Sequence, residues 1–354
     1  MRAKLLRRTA RVACVAILLA LGAAPGAEAR DLYWQGRRGD KWEHGHDPNT
    51  GLSNWYSKAV GGNALRAPNG GDRAIFPPAQ ETTDIWIRRD EDVSSLHIEP
   101  TATDYGYTFW VRALFSIVGD GILNDGPAGV TPQFVIARGK QLAMRNHAII
   151  GEPDFSTSAA RFRILDSGVL SFWEFSAGGN AEVVNNGGRV TFAGNASAAH
   201  MRITNRPQQP DGSPSSIRFH DNSWGISADL TNGENGLIDF ATQDRSNTVE
   251  RIHNNGNLHV GANRLHIKEG FTQGPLGTLW IDRAGAFHGA VIVEGVAKLG
   301  GKLKVGGFFG AAPGTYVLLR ATGGRQGKFA EVDAFGGRIA YGANRVVIIV
   351  DPPP

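Results

Sequence analysis

Four stretches of the chain fall into one register. Leu170/Phe172, Val190/Phe192, Ile217/Phe219 and Ile238/Phe240 hold the first two places of a unit; Val183/Asn185, Ile203/Asn205, Leu230/Asn232 and Ile252/Asn254 hold the second two. From phenylalanine to the next aliphatic is 11 residues three times and 12 once, and the asparagine always follows two later. Each half-unit alternates with period two, as in Val190-Thr191-Phe192, which reads as a short strand. A unit of about 20 residues with two such strands cannot bury a face alone and must stack on copies of itself.

Stacked as parallel coils, equivalent side chains sit roughly 4.8 Å apart. Phe172, Phe192, Phe219 and Phe240 then form an internal aromatic column, and Asn185, Asn205, Asn232 and Asn254 a ladder of amide hydrogen bonds. The fold expected is all-β: a right-handed parallel β-helix, or β-solenoid, with coils of roughly 20 residues. Upstream, Ile164 and Asp166 are expected in the aliphatic and asparagine places one coil earlier. Downstream, "NLHVGANRLHI", "GTLWIDRAGAFHGAVIVEG" and "GKLKVGGFFG" continue the alternation between glycines. The 47 glycines and 20% charged residues suit turns and sheet, and helical periodicity is nowhere convincing.

The first residues read as a processing signal. Arg2, Lys4, Arg7, Arg8 and Arg11 precede the apolar run 12–21, and Ala27-Glu28-Ala29 forms a cleavage site before Arg30. The organisation expected is a signal peptide over 1–29, a Trp-rich capping segment over 30–80, the solenoid over 81–350 and a proline tail over 351–354. The formal net charge of +4 belongs to that leader, whose five basic residues and one acid account for all of it. A neutral mature chain gives no electrostatic case for nucleic acid as a partner. The single cysteine, Cys14, also lies in the leader, which excludes disulfides and thiol catalysis from the remainder. No later apolar run is long enough to span a bilayer as a helix.

"RVTFAGNASAAHMRITN" and "SIRFHDNSWGISADLTN" resemble the β-helical repeats of bacterial autotransporter passenger domains. The stretch 314–350 resembles the closing coils of such passengers, and "YWQGRRGDKWEHGHDPNTGLSNWYSKAV" the tryptophan-rich stretch that often precedes them. The resemblance implies an exported protein at the cell surface or outside the cell, acting as an adhesion or structural module. Its partner would be a polysaccharide or protein of a host or matrix. Because the sequence stops at Val350-Asp351-Pro352-Pro353-Pro354 without the strands of a translocator barrel, a separate outer-membrane export partner is expected, with the periplasm as the alternative location.

No cofactor or metal is expected, and no catalytic residue is assigned. Arg38-Gly39-Asp40 spells an integrin-binding tripeptide but reads as a turn; His44-Gly45-His46-Asp47 offers two imidazoles and a carboxylate without a further ligand. Trp34, Trp42 and Trp55 could stack on sugars, but at the end of a solenoid they read as a cap over the first coil. The run Asp90-Glu91-Asp92 reads as a solvated turn. "TLWIDRAG" resembles a Trp-Ile-Asp stretch of pectate lyases, but Arg283 follows where that family has histidine, so Asp282 is expected to be solvated.

The alternative functions are a polysaccharide lyase or hydrolase on the same rod, which requires acids such as Asp239, Asp282 or Glu250 to converge in one groove, and a periplasmic scaffold. The candidate binding loop is Pro207, Gln208, Gln209, Pro210, Asp211 and Gly212, an insertion that lengthens its coil to 27 residues.

Overall fold

In a computed structural model, residues 30–78, 82–100, 106–126, 130–151, 160–207, 212–243 and 246–352 are described. The expected leader and four members of the candidate loop, Gln208, Gln209, Pro210 and Asp211, lie outside them. The described residues hold strands and turns and no helix.

The chain winds alternately through two long parallel sheets, forming a β-solenoid. Thirteen parallel strands of the first sheet run in chain order from Asp31–Trp34 to Glu331–Ala334. The second sheet runs in the same way from Asp84–Ile87 to Gly314–Ala321. The register across the repeat is unbroken: Phe172 pairs with Phe192 and Phe192 with Phe219, while Asn185, Asn205, Asn232 and Asn254 pair in succession on the second sheet.

The interior follows from the alternation. Phe172, Phe192, Phe219 and Phe240 are buried and stack at centroid distances of 4.8, 4.9 and 4.8 Å with planes within 13°. That spacing is the strand spacing, so one phenylalanine per coil packs face to face without adjustment of the backbone. A second stack, Phe109, Phe134 and Phe162, stands on the other sheet nearer the N-terminus.

The asparagines are equally buried, and each amide donates to the next: Asn185 Nδ2 to Asn205 Oδ1 at 2.9 Å, Asn205 to Asn232 at 3.1 Å and Asn232 to Asn254 at 2.8 Å. Each also satisfies its own corner. Asn185 Oδ1 accepts from Gly188 N–H at 2.8 Å, and its Nδ2 donates to the Gly188 carbonyl at 2.9 Å. A Cβ at Gly188 would fall 2.3 Å from Ile164 Cγ2 and 2.5 Å from the Gly168 carbonyl, which explains the glycine there.

Two details depart from expectation. The coil before Asn185 does not continue the ladder through Asp166: Phe162 pairs with Val183 and Ile164 with Asn185, so an isoleucine holds the ladder position. Asp166 lies beyond the strand, accepting from Ser213 N–H at 2.8 Å and pairing with Arg138. At the other end the ladder gains a rung, because Asn254 Nδ2 donates to Gln273 Oε1 at 2.9 Å.

Both ends of the rod carry antiparallel strands. Trp55–Tyr56 pairs antiparallel with Asp31–Trp34, and Ala64–Leu65 pairs with Trp55–Tyr56. Trp34, Trp42 and Trp55 are fully buried; Trp55 packs edge to face on the other two and on Phe76, which Trp34 and Trp42 meet at a tilt. Trp55 Nε1 donates to the Trp42 carbonyl and Trp34 Nε1 to that of Thr82. No face of these indoles is open to a sugar. At the far end, Arg345–Val350 pairs antiparallel with Gly314–Ala321 and Arg338–Tyr341, covering the edge of the second sheet.

Candidate functional site

On the outer face of the first sheet, one residue per strand points to solvent in a straight column. Its members are Arg218, Asp239, His259, Trp280 and Lys304, each paired with the next in the ladder register. Inside the same strands the residues are interchangeable aliphatics and phenylalanines; outside, no two of these five are alike.

The column lines a groove of about 720 Å³, with Arg189 and polar groups of Ser167, Ser213, Asn235, Asn257 and Thr278 along its walls. The described residues after the candidate loop, Ser213 and Pro214, form part of one wall. Of the insertion, only these two residues border the groove among the described residues. Pro207 and Gly212 themselves do not line the groove.

At the centre, His259 lies between two carboxylates. Its Nε2 is 2.8 Å from Asp282 Oδ2 and its Nδ1 is 3.5 Å from Asp239 Oδ1. The ring stacks on Trp280 at 4.1 Å, and Lys304 Nζ sits 3.9 Å from the centroid of the same indole. Trp280 Nε1 donates to Asp282 Oδ1 at 2.8 Å, and Ala241 N–H to Asp239 Oδ1 at 3.0 Å. Asp282, expected to be solvated, is therefore held by an imidazole and an indole.

The charges follow from this packing. Burial works to lower the pKa of His259, but the hydrogen bonds to Asp239 and Asp282 and their attraction outweigh it and lift the imidazole to about 9. The hydrogen bond from His259 leads in lowering the pKa of Asp282, ahead of an opposing burial effect. For Asp239, burial pushes upward, and the contacts with His259 and Ala241 N–H bring it below the usual carboxylate range. The centre is thus an imidazolium between two carboxylates at neutral pH.

Such an arrangement lacks what glycoside chemistry asks of a carboxyl pair. A general acid must hold its proton near neutral pH, and both aspartates are shifted the other way. Glu250, the third acid that could have joined them, belongs to a strand of the second sheet and faces Lys268 at 3.4 Å.

No protein-family model matches this chain, and no curated protein matches it. The groove's own chemistry therefore carries the reading.

The remaining motifs are absorbed by structure. Arg38 donates to the Gly45 carbonyl and pairs with Asp47 at 3.5 Å, while the Asp40 carbonyl accepts from Trp86 N–H; the tripeptide is stitched to the rod rather than projected. His44 Nδ1 lies 3.0 Å from the Arg38 carbonyl, and among the described residues no group of three His, Cys, Asp or Glu side chains is placed to hold a metal ion. In the acidic run, Asp90 accepts from Leu114 N–H and Asp92 from Gly70 N–H. Glu91 is not a solvated turn residue: it begins the strand Glu91–Ile98, and burial with Glu43 and Asp92 nearby raises it to about 7. No described helix is long and apolar enough to cross a membrane.

Sequence reasoning missed two features with readable signals. "FTQ" (271–273) is a variant of the "VVN", "ITN", "LTN" and "IHN" that end the earlier coils, and it supplies the fifth amide rung. The outer column is the middle letter of I-R-F, I-D-F, L-H-V, L-W-I and L-K-V, legible once the repeat is aligned past Asn254.

Proposed function

We propose that this chain is an exported, passenger-like β-solenoid that serves as an adhesion or structural module and engages its partner through the groove on its first sheet. The observation that carries this reading is the Asp239–His259–Asp282 centre, in which the two acids share one imidazolium and both are shifted away from holding a proton near neutral pH. A rod with such a face works by extended presentation, with many modest contacts along a rigid stack. A polysaccharide or protein of a host or matrix is the partner class, and a separate outer-membrane protein would provide export.

Fractionation of producing cells with protease shaving, followed by an antibody to the chain, tests location. Release to the medium or removal by external protease is the expected result; protection in the periplasm would end the adhesion reading in favour of a periplasmic scaffold. In parallel, purified chain incubated with polysaccharides should liberate no new reducing or unsaturated ends. Steady release of either that is lost in Asp239→Asn would move the groove to the lyase or hydrolase class.

A further inference from the structure

The groove holds more positive charge than its carboxylates consume. Asp239 and Asp282 carry two negative charges against four cations: His259 bridges them, Arg218 and Lys304 stabilise them from a distance, and Arg189, Arg218 and Lys304 make no direct ion pair among the described residues. The Nε of Arg218 is buried and makes no hydrogen bond there. A buried guanidinium nitrogen without an acceptor is costly, and an anion on the outer part of the guanidinium would offset that cost through its charge rather than by contact with Nε. Lys304 is held over the indole of Trp280, which fixes its position without neutralising it.

The cations are arranged along the rod. Arg218 and Lys304 hold equivalent places four rungs apart, a separation of roughly 19 Å at one strand spacing per rung. Arg189 stands one further rung beyond Arg218, in register with Ser216 and so two residues along the strand from the column. A single small anion cannot reach all three; an extended chain with repeated negative groups can.

The wall chemistry selects among polyanions. Ser167, Ser213, Asn235, Asn257 and Thr278 provide hydroxyls and amides suited to a hydroxyl-rich ligand. Single-stranded nucleic acid is bound by stacking bases on open aromatic faces, but one face of Trp280 is covered by His259 and the indole also carries Lys304. From these observations we infer that the groove binds an acidic polysaccharide, laid along the rod axis, with its carboxylates on Arg189, Arg218 and Lys304. This rests on the reading of the groove as a binding surface and adds the class of ligand.

The test is calorimetric titration of the mature chain with alginate oligosaccharides, with the same oligosaccharides esterified to remove charge, and with polyglutamate. Alginate should bind, its affinity should fall with added salt, and the esterified form should be weaker. Arg218→Gln should weaken alginate binding about tenfold, the value of one charge-assisted hydrogen bond. Lys304→Gln should weaken it too, while Arg202→Gln, on the outer face of the second sheet, should leave it unchanged. Each variant is first shown to unfold thermally like the parent.

Equal binding of charged and esterified sugar, with Arg218→Gln silent, would overturn the charge inference and leave a glycan-binding groove standing. Tighter binding of polyglutamate than of alginate would overturn the glycan class. Retention of neither sugar by a normally folded chain would remove this inference together with the glycan arm of the proposed function, whereas the cell-location experiment would still stand by itself.

Discussion

The first sheet presents two different columns, which overlap in the coils of Phe219 and Phe240. Inward, Phe172, Phe192, Phe219 and Phe240 repeat one residue for four coils, and the buried asparagines do likewise on the opposite sheet. Outward, in register with those strands, Arg218, Asp239, His259, Trp280 and Lys304 repeat nothing. A stack fixes interior residues because each must fit the one above and below at a single spacing, whereas an outer position touches only its two neighbours and water. Repetition marks what the rod needs to stand; its breakdown on one face marks where chemistry has been added.

Removing an inner residue should therefore cost most. Phe219→Ala opens a gap between Phe192 and Phe240, which lie 4.9 and 4.8 Å from it, and should destabilise by about 3–5 kcal/mol in denaturant unfolding. Asn205→Leu leaves the buried Oδ1 of Asn232 without its donor and takes one acceptor from Asn185, which keeps the Gly188 and Ser216 carbonyls, and should cost about 2–4 kcal/mol. Gln273 sharpens the comparison, because it ends the ladder and its Nε2 already has no partner. Gln273→Leu should cost about 1 kcal/mol, and an equal loss at Asn205 and Gln273 would show that the ladder does not act as a connected column.

The inner column was legible in the sequence because packing imposes one residue type at one interval. Four phenylalanines and four asparagines suffice to set strand register on both sheets. The groove was not legible in the same way. Asp282 read as solvated because nothing along the chain links it to His259, 23 residues away; only the winding of one coil brings them to 2.8 Å. Ile164 misled for a related reason. Its spacing from Asp166 resembles the aliphatic-to-asparagine interval, but the interior accepts an isoleucine where the amide ladder stops, and the strand register follows the hydrophobic contact.

The outer column should respond to pH where the inner one does not. His259 has a folded pKa of about 9 against an ordinary 6.5, so its stabilising contribution is complete below pH 6.5 and is lost as pH rises through about 9. Asp239 and Asp282 are shifted downward, so their contribution is present above the ordinary carboxylate pKa of 3.8 and is lost as pH falls below it. Between those limits these three groups contribute a constant amount, and the decline expected there comes from Glu91, whose raised pKa of about 7 favours the folded state less as pH rises from 4.5. Chemical unfolding followed from pH 6.5 to above 9 should show a loss of about 1–2 kcal/mol that His259→Gln abolishes, with Phe219→Ala keeping the parent's pH profile at a lower level. A parent profile with no such decline would mean that the two carboxylates do not hold the imidazole as an ion in solution.

The smallest effect lies at a corner where backbone repeats but residue type does not. Gly179, Ala199 and Ile226 occupy equivalent places, joined by His200 N–H to the Gly179 carbonyl and Ser227 N–H to that of Ala199, and all three have positive φ of 58°, 51° and 53°. For a β-branched residue that conformation is strained, and Ile226 is 40% exposed, so its side chain recovers little by burial. Ile226→Asn keeps a side chain that tolerates the left-handed region and should stabilise by about 0.5–1 kcal/mol. Ile226→Gly relieves the same strain but frees the unfolded chain, and should come out near zero. A thermal melt in which asparagine exceeds glycine, and glycine matches the parent, would assign the cost to backbone strain. If both variants destabilise, the exposed isoleucine is instead held by contacts at the corner, and the outer surface is more closely specified there than in the groove.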